Sequence, residues 1–420
     1  MTAGQNPGAG SLAGIRVIEI GTSVAAPMAA QILGDMGADV VKVERLGTGD
    51  DSRSWAPPHW DSTSVTYLSL NRSKRSLVLD FKQEAGRAVL QRLIEQSDVL
   101  IQNLRPGALA KSGFSVERVR ELNPRLIYCE LTGFGASGPE AGRPAYDPLV
   151  QAYSGMVSMT GEDGRPPARV PVSVLDIGTG MWAALSVYEA LRRRDQTGQG
   201  SHVELSLLQT AVTWMAPTLM SVLAGNPAPK RLGSGLAGVV PYGAFPASDS
   251  WVFISAGNDQ AWQRMCSALE APALTTEEAF STNASRVSHR QEVTAALSLI
   301  TQRLTSAEIL ARLTVAAVPC SPVHTVDEVA RDEQVLATGA LRSLPREDIP
   351  GLTVVNPPMT FDGEYPAFDI PPPALGADSV AVLRDLGVTD DEIAHLIAMG
   401  VVEAKDAESL ARSTSERSTP

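Results

Sequence analysis

Short apolar runs alternate along the first half of the chain with longer segments whose apolar residues recur at helical spacing. The short runs predict strands at 16–20, 40–44, 75–81, 98–103, 126–132 and 170–176. The longer segments predict helices at 25–37, 84–96, 116–124 and 178–194, and the segment 202–209 leads into another helix. Strands that alternate with helices are typical of an α/β fold, in which helices cover both faces of a parallel sheet.

The character of the sequence changes near residue 231. Glycines, prolines and short β-like runs are followed there by helical stretches such as 291–304. This pattern predicts a second, smaller α+β domain that ends near Val326.

A Pro-rich segment then extends from Pro345 to Pro373. It predicts a long extended connection, because proline lacks an N–H group and disfavours helix and sheet. Thr389 and Glu392 form a capping-box pattern that predicts a final helix. The polar tail from about residue 404 is expected to be disordered.

Asp176 stands where the apolar run Val172–Leu175 meets a Gly-containing helix start, Ile177–Gly180. An aspartate at such a point is a favoured N-cap, because its side chain accepts hydrogen bonds from the free N–H groups of the first turn. The position also suits chemistry, since ligands of open α/β sheets bind at the carboxyl ends of strands and a carboxylate can act as a nucleophile. The local pattern leaves both roles open.

Composition and charge exclude several classes of protein. The chain has 420 residues, 44% of them hydrophobic, and a net charge of −12, which disfavours nucleic acid as a partner. No apolar run approaches the ~20 residues of a membrane span, and the first residues lack the pattern of a signal peptide. Cys129, Cys266 and Cys320 are too widely spaced for a zinc site or a disulfide framework. A cytoplasmic protein without membrane contact is therefore expected.

The first predicted βα turn, IGTSVAAP, contains Gly21 alone where a dinucleotide-binding fingerprint needs three glycines. A Rossmann dinucleotide cofactor is therefore disfavoured. Together with the cysteine spacing, this leads us to expect no permanently bound cofactor and no metal. Cations beside the predicted strand ends fit either one anion site or ordinary surface basicity. They are Arg45, Lys74, Arg75, Lys82, Arg105 and Lys111.

Several motifs follow one another in a fixed order, and together they resemble the class III CoA-transferases from about Leu12 to Val402. They are LAGIRVIEIGTSVAAPMAAQILGDMGADVVKVER, LNRSKRSLVLDFK, QNLRPGALAKSGF, GRPAYDPLVQAYSGMVSMTG, VSVLDIGTGMWAAL, PYGAF, GNDQAW and PCSPV. The resemblance implies a Rossmann-like large domain built from both chain ends, an inserted small domain and an interlocked homodimer. The implied divisions are 1–208 (large domain, N-terminal part), 209–229 (linker), 230–326 (small domain), 327–403 (return connection and C-terminal part of the large domain) and 404–420 (tail).

The resemblance also implies roles for individual residues. Asp176 matches the catalytic aspartate. Coenzyme A, as substrate and product, is expected at Val24, Arg45, Leu79, Lys82, Asn103, Leu104, Arg105, Lys111 and Tyr146. Apolar members of this set equally fit a core, and Asn103 equally fits a strand-end turn. A substrate loop or a flexible interdomain loop is expected at Gly233, Gly235 and Gly238.

The implied reaction transfers CoA from an acyl-CoA to a small carboxylic acid through an anhydride and an aspartyl-CoA thioester on Asp176. The related α-methylacyl-CoA racemases place a histidine at the position of Tyr146 and an acidic residue at that of Asn258, so this chain favours transfer over racemisation. Formyl-CoA transferases carry a glutamine at the position of Ala25, which disfavours formate and oxalate as substrates. A racemase and a non-catalytic acyl-CoA-binding protein remain the alternatives, and the acids themselves are left open.

Overall fold

The computed structural model describes residues 10–405. The strands in this range are β1 Arg16–Ile20, β2 Asp39–Glu44, β3 His59–Trp60, β4 Thr63–Ser64, β5 Arg75–Leu79, β6 Val99–Gln102, β7 Ile127–Thr132, β8 His202–Ser206, β9 Tyr242–Pro246, β10 Trp251–Ser255, β11 Cys320–Pro322, β12 Leu341–Ser343, β13 Thr353–Val355 and β14 Val402–Glu403.

The helices in the same range are α1 Ala25–Asp35, α2 Val65–Leu70, α3 Glu84–Glu95, α4 Ala108–Lys111, α5 Val116–Leu122, α6 Asp147–Tyr153, α7 Val174–Thr197, α8 Leu207–Trp214, α9 Ala216–Leu223, α10 Asp259–Ala268, α11 Ala273–Thr276, α12 Asn283–Ser288, α13 Arg290–Thr301, α14 Ser306–Val315, α15 Val326–Val329, α16 Glu333–Ala337, α17 Ser379–Asp385 and α18 Asp390–Ala398. Short 3₁₀ turns lie at Asp51–Ser54, Met156–Met159 and Glu278–Phe280.

The chain forms two compact units. The first contains the described residues of Met1–Ser154, Pro171–Trp214 and Ala337–Pro420, and the second contains Gly155–Val170 and Met215–Leu336. Residues 209–229, expected as a linker, contain most of α8 and all of α9. The disordered tail expected at 404–420 falls outside the described residues from position 406 onward.

The first unit is built on a seven-stranded sheet in the order β14-β5-β2-β1-β6-β7-β8. Its strands are parallel except for β14, which pairs antiparallel with β5. This mostly parallel sheet confirms the predicted α/β fold.

The strand predicted at 170–176 is wrong. No residue there joins the sheet, α7 already begins at Val174, and β8 takes the place beside β7. Pro171 interrupts the apolar run and cannot donate a hydrogen bond to a strand ladder. Val172 is 58% exposed, whereas a central strand between two helical layers would be buried.

Helices cover both faces of this sheet. On one face α1 and α7 pack over Val17, Val99 and Ile127, and on the other α3, α5, α17 and α18 enclose a second apolar core. The α1–α7 contact depends on Gly180, because a Cβ atom there would lie 2.7 Å from the carbonyl oxygen of Ala25. This close packing positions the start of α7 next to the start of α1.

The second unit has its own sheet and core. Strands β9, β10 and β11 form an antiparallel sheet in the order β11-β10-β9. Helices α10, α13 and α14 pack on it around Trp262, Val293 and Ile309, which are fully buried. In the first unit, the predicted C-terminal helix is confirmed as α18, with the capping box of Thr389 and Glu392 formed as expected.

Candidate active site

A cavity of about 480 Å³ opens in the first unit at the carboxyl ends of β1, β6 and β7. This is the edge of a parallel sheet at which ligands bind in open α/β folds. The residues that line this candidate active-site cavity are Thr22, Ser23, Ala25, Arg45, Asp51, Asn103, Leu104, Arg105, Pro106, Leu131, Thr132, Gly133, Gly142, Arg143, Pro144, Ala145, Tyr146, Asp176 and Leu207.

The turn between β1 and α1 forms one wall of the cavity. Thr22 and Asn103 are joined by two hydrogen bonds: the Thr22 N–H donates to Asn103 Oδ1 at 3.0 Å, and Asn103 Nδ2 donates to the Thr22 carbonyl at 2.9 Å. Ser23 has a φ of +74°, an unusual conformation for a residue other than glycine. Asp50 stabilises it by accepting a hydrogen bond from the Ser23 N–H at 3.0 Å.

A buried network of charged side chains lies beneath this turn. Lys42 Nζ contacts Glu19 at 2.6 Å and Asp50 at 2.7 Å, and Lys74 Nζ contacts the other oxygen of Glu19 at 2.8 Å. Lys42 also donates to the carbonyl of Gly21 at 3.2 Å. The ammonium of Lys42 holds the pKa of Asp50 at about 2, although burial alone would raise it. The network therefore supports the cavity wall from inside the protein.

These contacts correct the suggestion that all of the strand-end cations form one anion site. Lys74 is fully buried and ion-paired with Glu19. Arg75 lies at the amino end of β5, where it pairs with Asp39 and Asp385. The sequence shows that a cation lies near a strand but does not show which end of the sheet it faces, or whether it is buried in an ion pair.

Asp176 lies in the first turn of the 24-residue helix α7, but it does not cap that helix. Asp147, the first residue of α6, accepts hydrogen bonds on Oδ2 from the N–H groups of Leu175 at 2.6 Å and Asp176 at 3.1 Å. Ser173, at the N-cap position, contributes no side-chain hydrogen bond. The carboxylate of Asp176 is therefore left for the cavity, and the N-cap interpretation of this residue is wrong.

The surroundings of Asp176 disfavour its negative charge. Partial burial and, to a smaller degree, the nearby carboxylate of Asp147 raise the pKa of Asp176 to about 7. Among residues 10–405, no donor forms a hydrogen bond with the Asp176 carboxylate that would offset this effect. A carboxylate that is poorly solvated and unpaired is more basic, and so a better nucleophile, than one in water.

Two glycines allow close approaches around Asp176. A Cβ atom on Gly178 would lie 2.2 Å from the ring of Trp214, and one on Gly133 would lie 2.1 Å from Cβ of Ala145. The first glycine lets the Trp214 ring lie against the first turns of α7, and the second lets the loop after β7 meet the loop that carries Tyr146. Gly133 and Ala145 line the cavity, so the shape of its wall there depends on a residue without a side chain.

The structure brings part of the predicted site together. Of the predicted residues, six line the cavity: Arg45, Asn103, Leu104, Arg105, Tyr146 and Asp176. Val24 is 5% exposed and Leu79 is 1% exposed, so their side chains belong to the core, as the alternative interpretation expected. Lys82 and Lys111 are exposed but do not line the cavity. Their contact with CoA stays a prediction.

The predicted substrate loop belongs to the second unit. Gly233 donates a hydrogen bond to the carbonyl of Gly161 at 2.8 Å, and Arg290 binds the carbonyls of Leu236 and Ala237 that lie between Gly235 and Gly238. The loop is thus held by hydrogen bonds within its own unit. Its role toward substrate stays a prediction.

Sequence reasoning did not single out several residues that line the cavity or, like Asp147, contact Asp176. They are Thr22, Ser23, Asp51, Arg143 and Asp147. The Asp-Pro pair at 147–148 does predict a helix start, but it signals the start of α6 and not a contact with α7. Arg143 lies in the same GRPAYD motif as Tyr146, so its position in the cavity could have been proposed from that motif.

Two further findings concern metals and membranes. In residues 10–405 no group of three or more His, Cys, Asp or Glu side chains is arranged to bind a metal ion. Within that range, no helix combines the length and apolar character needed to span a bilayer.

Comparison with known proteins identifies the family. The model of CoA-transferase family III matches residues 12–379. The succinate–glutarate CoA-transferase of Agrobacterium fabrum is 37% identical over 381 residues, which cover 89% of this chain and 95% of that protein. The succinyl-CoA:glutarate CoA-transferase of Homo sapiens is 32% identical over 93% of this chain and 90% of that protein.

A solved structure agrees with this result. The crystal structure of a CAIB/BAIF family protein from Brucella suis superposes with a TM-score of 0.83 at 34% identity, covering 90% of this chain and 100% of that one. Since the family match spans most of the sequence, this chain belongs to CoA-transferase family III and is a CoA-transferase that acts on CoA thioesters.

Proposed function

We propose that this enzyme transfers CoA from a dicarboxylic acyl-CoA to a second small carboxylic acid, with Asp176 as the nucleophile. The observation that carries the proposal is the Asp176 carboxylate itself, which lines the cavity, accepts no hydrogen bond from any residue of the described range 10–405, and has a pKa raised to about 7 by burial and by Asp147. Near neutral pH such a group is partly ionised and still basic, as a carboxylate nucleophile must be.

The proposed reaction begins when an oxygen of Asp176 attacks the thioester carbonyl. The C–S bond breaks, CoA leaves as a thiolate, and a mixed anhydride remains on Asp176. The thiolate then attacks the Asp176 carbonyl carbon, which releases the donor acid as a carboxylate and leaves an aspartyl-CoA thioester.

The second half reverses these steps with the acceptor. The acceptor carboxylate attacks the aspartyl carbon and displaces CoA thiolate, which then attacks the acceptor carbonyl of the new anhydride. The products are a new acyl-CoA and the free Asp176 carboxylate. Since each anhydride is open to hydrolysis, the site must exclude water during these steps.

Three arginines that line the cavity suggest how the substrates lie. Arg45 follows β2 and is paired with Asp51, Arg105 follows β6, and Arg143 lies in the same loop as Tyr146. We assign Arg45 and Arg105, together with Lys82 and Lys111, to the phosphates of CoA. Arg143 is then left for the acyl group or the acceptor: its guanidinium pairs with Glu140 at 2.7 Å, and a substrate carboxylate would share or replace that partner.

A matched set of acceptors tests this function. The relatives named above are succinate and glutarate transferases, so we expect turnover with succinyl-CoA and glutarate, and much less with valerate, which has the same length but one carboxylate. Arg143→Leu is expected to lower kcat/KM for glutarate about 10- to 100-fold and to leave valerate unchanged, because a paired carboxylate loses its partner. Arg125→Leu, at the amino end of β7, is the control and should behave as the wild type.

The competing functions give different results in the same assay. A racemase would exchange the α-proton of a 2-methylacyl-CoA with deuterated solvent in the absence of any acceptor acid. A non-catalytic binding protein would bind CoA and transfer it to no acid. Either result contradicts the proposal.

We further propose that the enzyme is a homodimer, as the family resemblance implies. A second cavity of about 920 Å³ in the first unit is lined mainly by apolar side chains, among them Met181, Leu185 and Phe361. Leu185 is 57% exposed, and an apolar patch of this kind favours burial against another protein surface. Light scattering is expected to give the mass of two chains, and a stable, active monomer would contradict the proposal.

A further inference from the structure

The carboxylate of Asp147 is buried and accepts three hydrogen bonds. It is 1% exposed, and its Oδ2 accepts the two hydrogen bonds from the first turn of α7. Its Oδ1 accepts a hydrogen bond from Nε2 of Gln151 on the next turn of α6. The carboxylate of Asp147 thus joins the start of α7 to the second turn of α6.

Asp147 connects two residues of the cavity wall, Tyr146 and Asp176. It follows Tyr146, which lines the cavity, and it binds the backbone of Asp176, which also lines the cavity. Because Ser173 supplies no cap, the orientation of the first turn of α7 depends on this contact from a different helix. A shift of Asp147 would therefore move Asp176 relative to Tyr146.

Asp147 also changes the electrostatics of the helix start. The N-terminus of a helix carries partial positive charge, which stabilises a carboxylate and would make Asp176 less basic. The negative charge of Asp147 lies at the same place and opposes that effect. Asp147 thus binds the free N–H groups of the first turn, and its negative charge offsets their partial positive charge at Asp176.

Few other charged groups lie around Asp176. The cavity also contains Arg45, Asp51, Arg105, Arg143 and the phenol of Tyr146. Of the helices packed on α7, α8 has no charged side chain, and α1 has only Asp35, at its far end and paired with Arg72. Two strands also pack on α7. Strand β7 carries Tyr128, Cys129 and Glu130, and strand β8 carries Glu204 and His202, which lies beside Glu130.

We propose that Asp147 is a positioning residue for the transfer reaction: its buried carboxylate fixes the direction in which Asp176 meets the thioester carbonyl, and its charge keeps Asp176 reactive. The inference rests on the proposed function of Asp176. Asp147 itself would touch neither CoA nor the acids. It would act through its hydrogen bonds to the backbone of α7 and through its negative charge.

The test uses Asp147→Asn, which keeps the shape and one acceptor oxygen but removes the charge. The rate of aspartyl-CoA formation is followed in a single turnover without acceptor, by mass spectrometry, from pH 5 to 9. The acidic limb of the rate is expected to move about one pH unit lower, because Asp176 ionises more easily without a neighbouring charge. The plateau rate is expected to fall about threefold, because a less basic carboxylate is a weaker nucleophile.

A second pair of variants separates positioning from stability. Asp147→Ala removes the cap and is expected to lower both Tm and the single-turnover rate, the latter about 100-fold because the nucleophile is misplaced. Adding Ser173→Asn supplies a neutral N-cap from the normal position, which should restore Tm but not the rate. Recovery of the full rate together with Tm would show that Asp147 is only structural and would overturn the inference.

The two proposals fail in distinguishable ways. If wild-type enzyme forms no adduct at Asp176, the proposed function is wrong. If wild type forms the adduct and Asp147→Asn has the wild-type pH midpoint and rate, only the role of Asp147 is wrong.

Discussion

Replacing Asp176 with Asn is expected to lower CoA transfer by at least about 10³-fold, because the amide cannot attack a thioester to form the anhydride. In the wild type, turnover should rise with pH through about 7, since only the ionised form attacks and burial and Asp147 raise the pKa of Asp176 to that value. The measurement is the initial rate of acyl-CoA exchange between pH 5 and 9.

Trapping identifies the residue directly. Wild-type enzyme incubated with donor acyl-CoA and then with hydroxylamine should carry the modification on the peptide that contains Asp176. The control is Asp195→Asn, which removes an exposed aspartate from the same helix and should keep both activity and adduct. Normal turnover by Asp176→Asn would refute the nucleophile assignment.

The substitution Asp176→Asn is also expected to stabilise the folded protein at high pH. The folded pKa of Asp176 lies above its unfolded value, so stability is lost as pH rises from about 4 through about 7 and the full penalty applies above that. Asn removes the penalty, which we place at about 2 kcal/mol after allowing for partial solvent contact. Urea unfolding should show the gain at pH 8 and none near pH 4.

Glu19→Gln is expected to destabilise the fold by about 3–5 kcal/mol, because it leaves two buried lysines without their shared counter-charge. Lys42 and Lys74 contact the two oxygens of Glu19 at 2.6 Å and 2.8 Å, and all three side chains are fully buried. Lys42 also donates to the Gly21 carbonyl and pairs with Asp50. A displaced Lys42 should therefore make the cavity wall at Thr22 and Ser23 less ordered, and KM for CoA thioesters should rise. Urea unfolding and KM are the measurements.

The pH dependence distinguishes this mechanism from a simple packing defect. Burial, with repulsion from Lys42, lowers the pKa of Lys74 to about 8, and loss of Glu19 should lower it further. The destabilisation should therefore be largest at low pH and shrink as pH rises and Lys74 loses its proton. Glu130→Gln is the control, because that carboxylate is paired only loosely, with His202 at 3.7 Å. An equally large loss in the control would contradict the account.

Periodicity alone predicted most of the central sheet. The strands predicted around Ile18, Val41 and Leu100 are present, because residues in a parallel sheet are buried on both faces and therefore form continuous apolar runs. The same rule misled at 170–176, where a run broken by Pro171 leads into α7 without entering the sheet. A short apolar run does not distinguish a strand from a helix start.

The sequence by itself determined the class of fold and the family and predicted Asp176 as the candidate nucleophile, because these inferences depend on periodicity and on motifs that are local in the chain. Tertiary structure decided the state of that residue. Asp147 and Leu175 are 28 positions apart, yet their contact frees the Asp176 carboxylate from capping. Glu19 and Lys74 likewise form an ion pair only inside the fold. Charge, burial and hydrogen-bond partners depend on neighbours in space, which the order of residues alone does not specify.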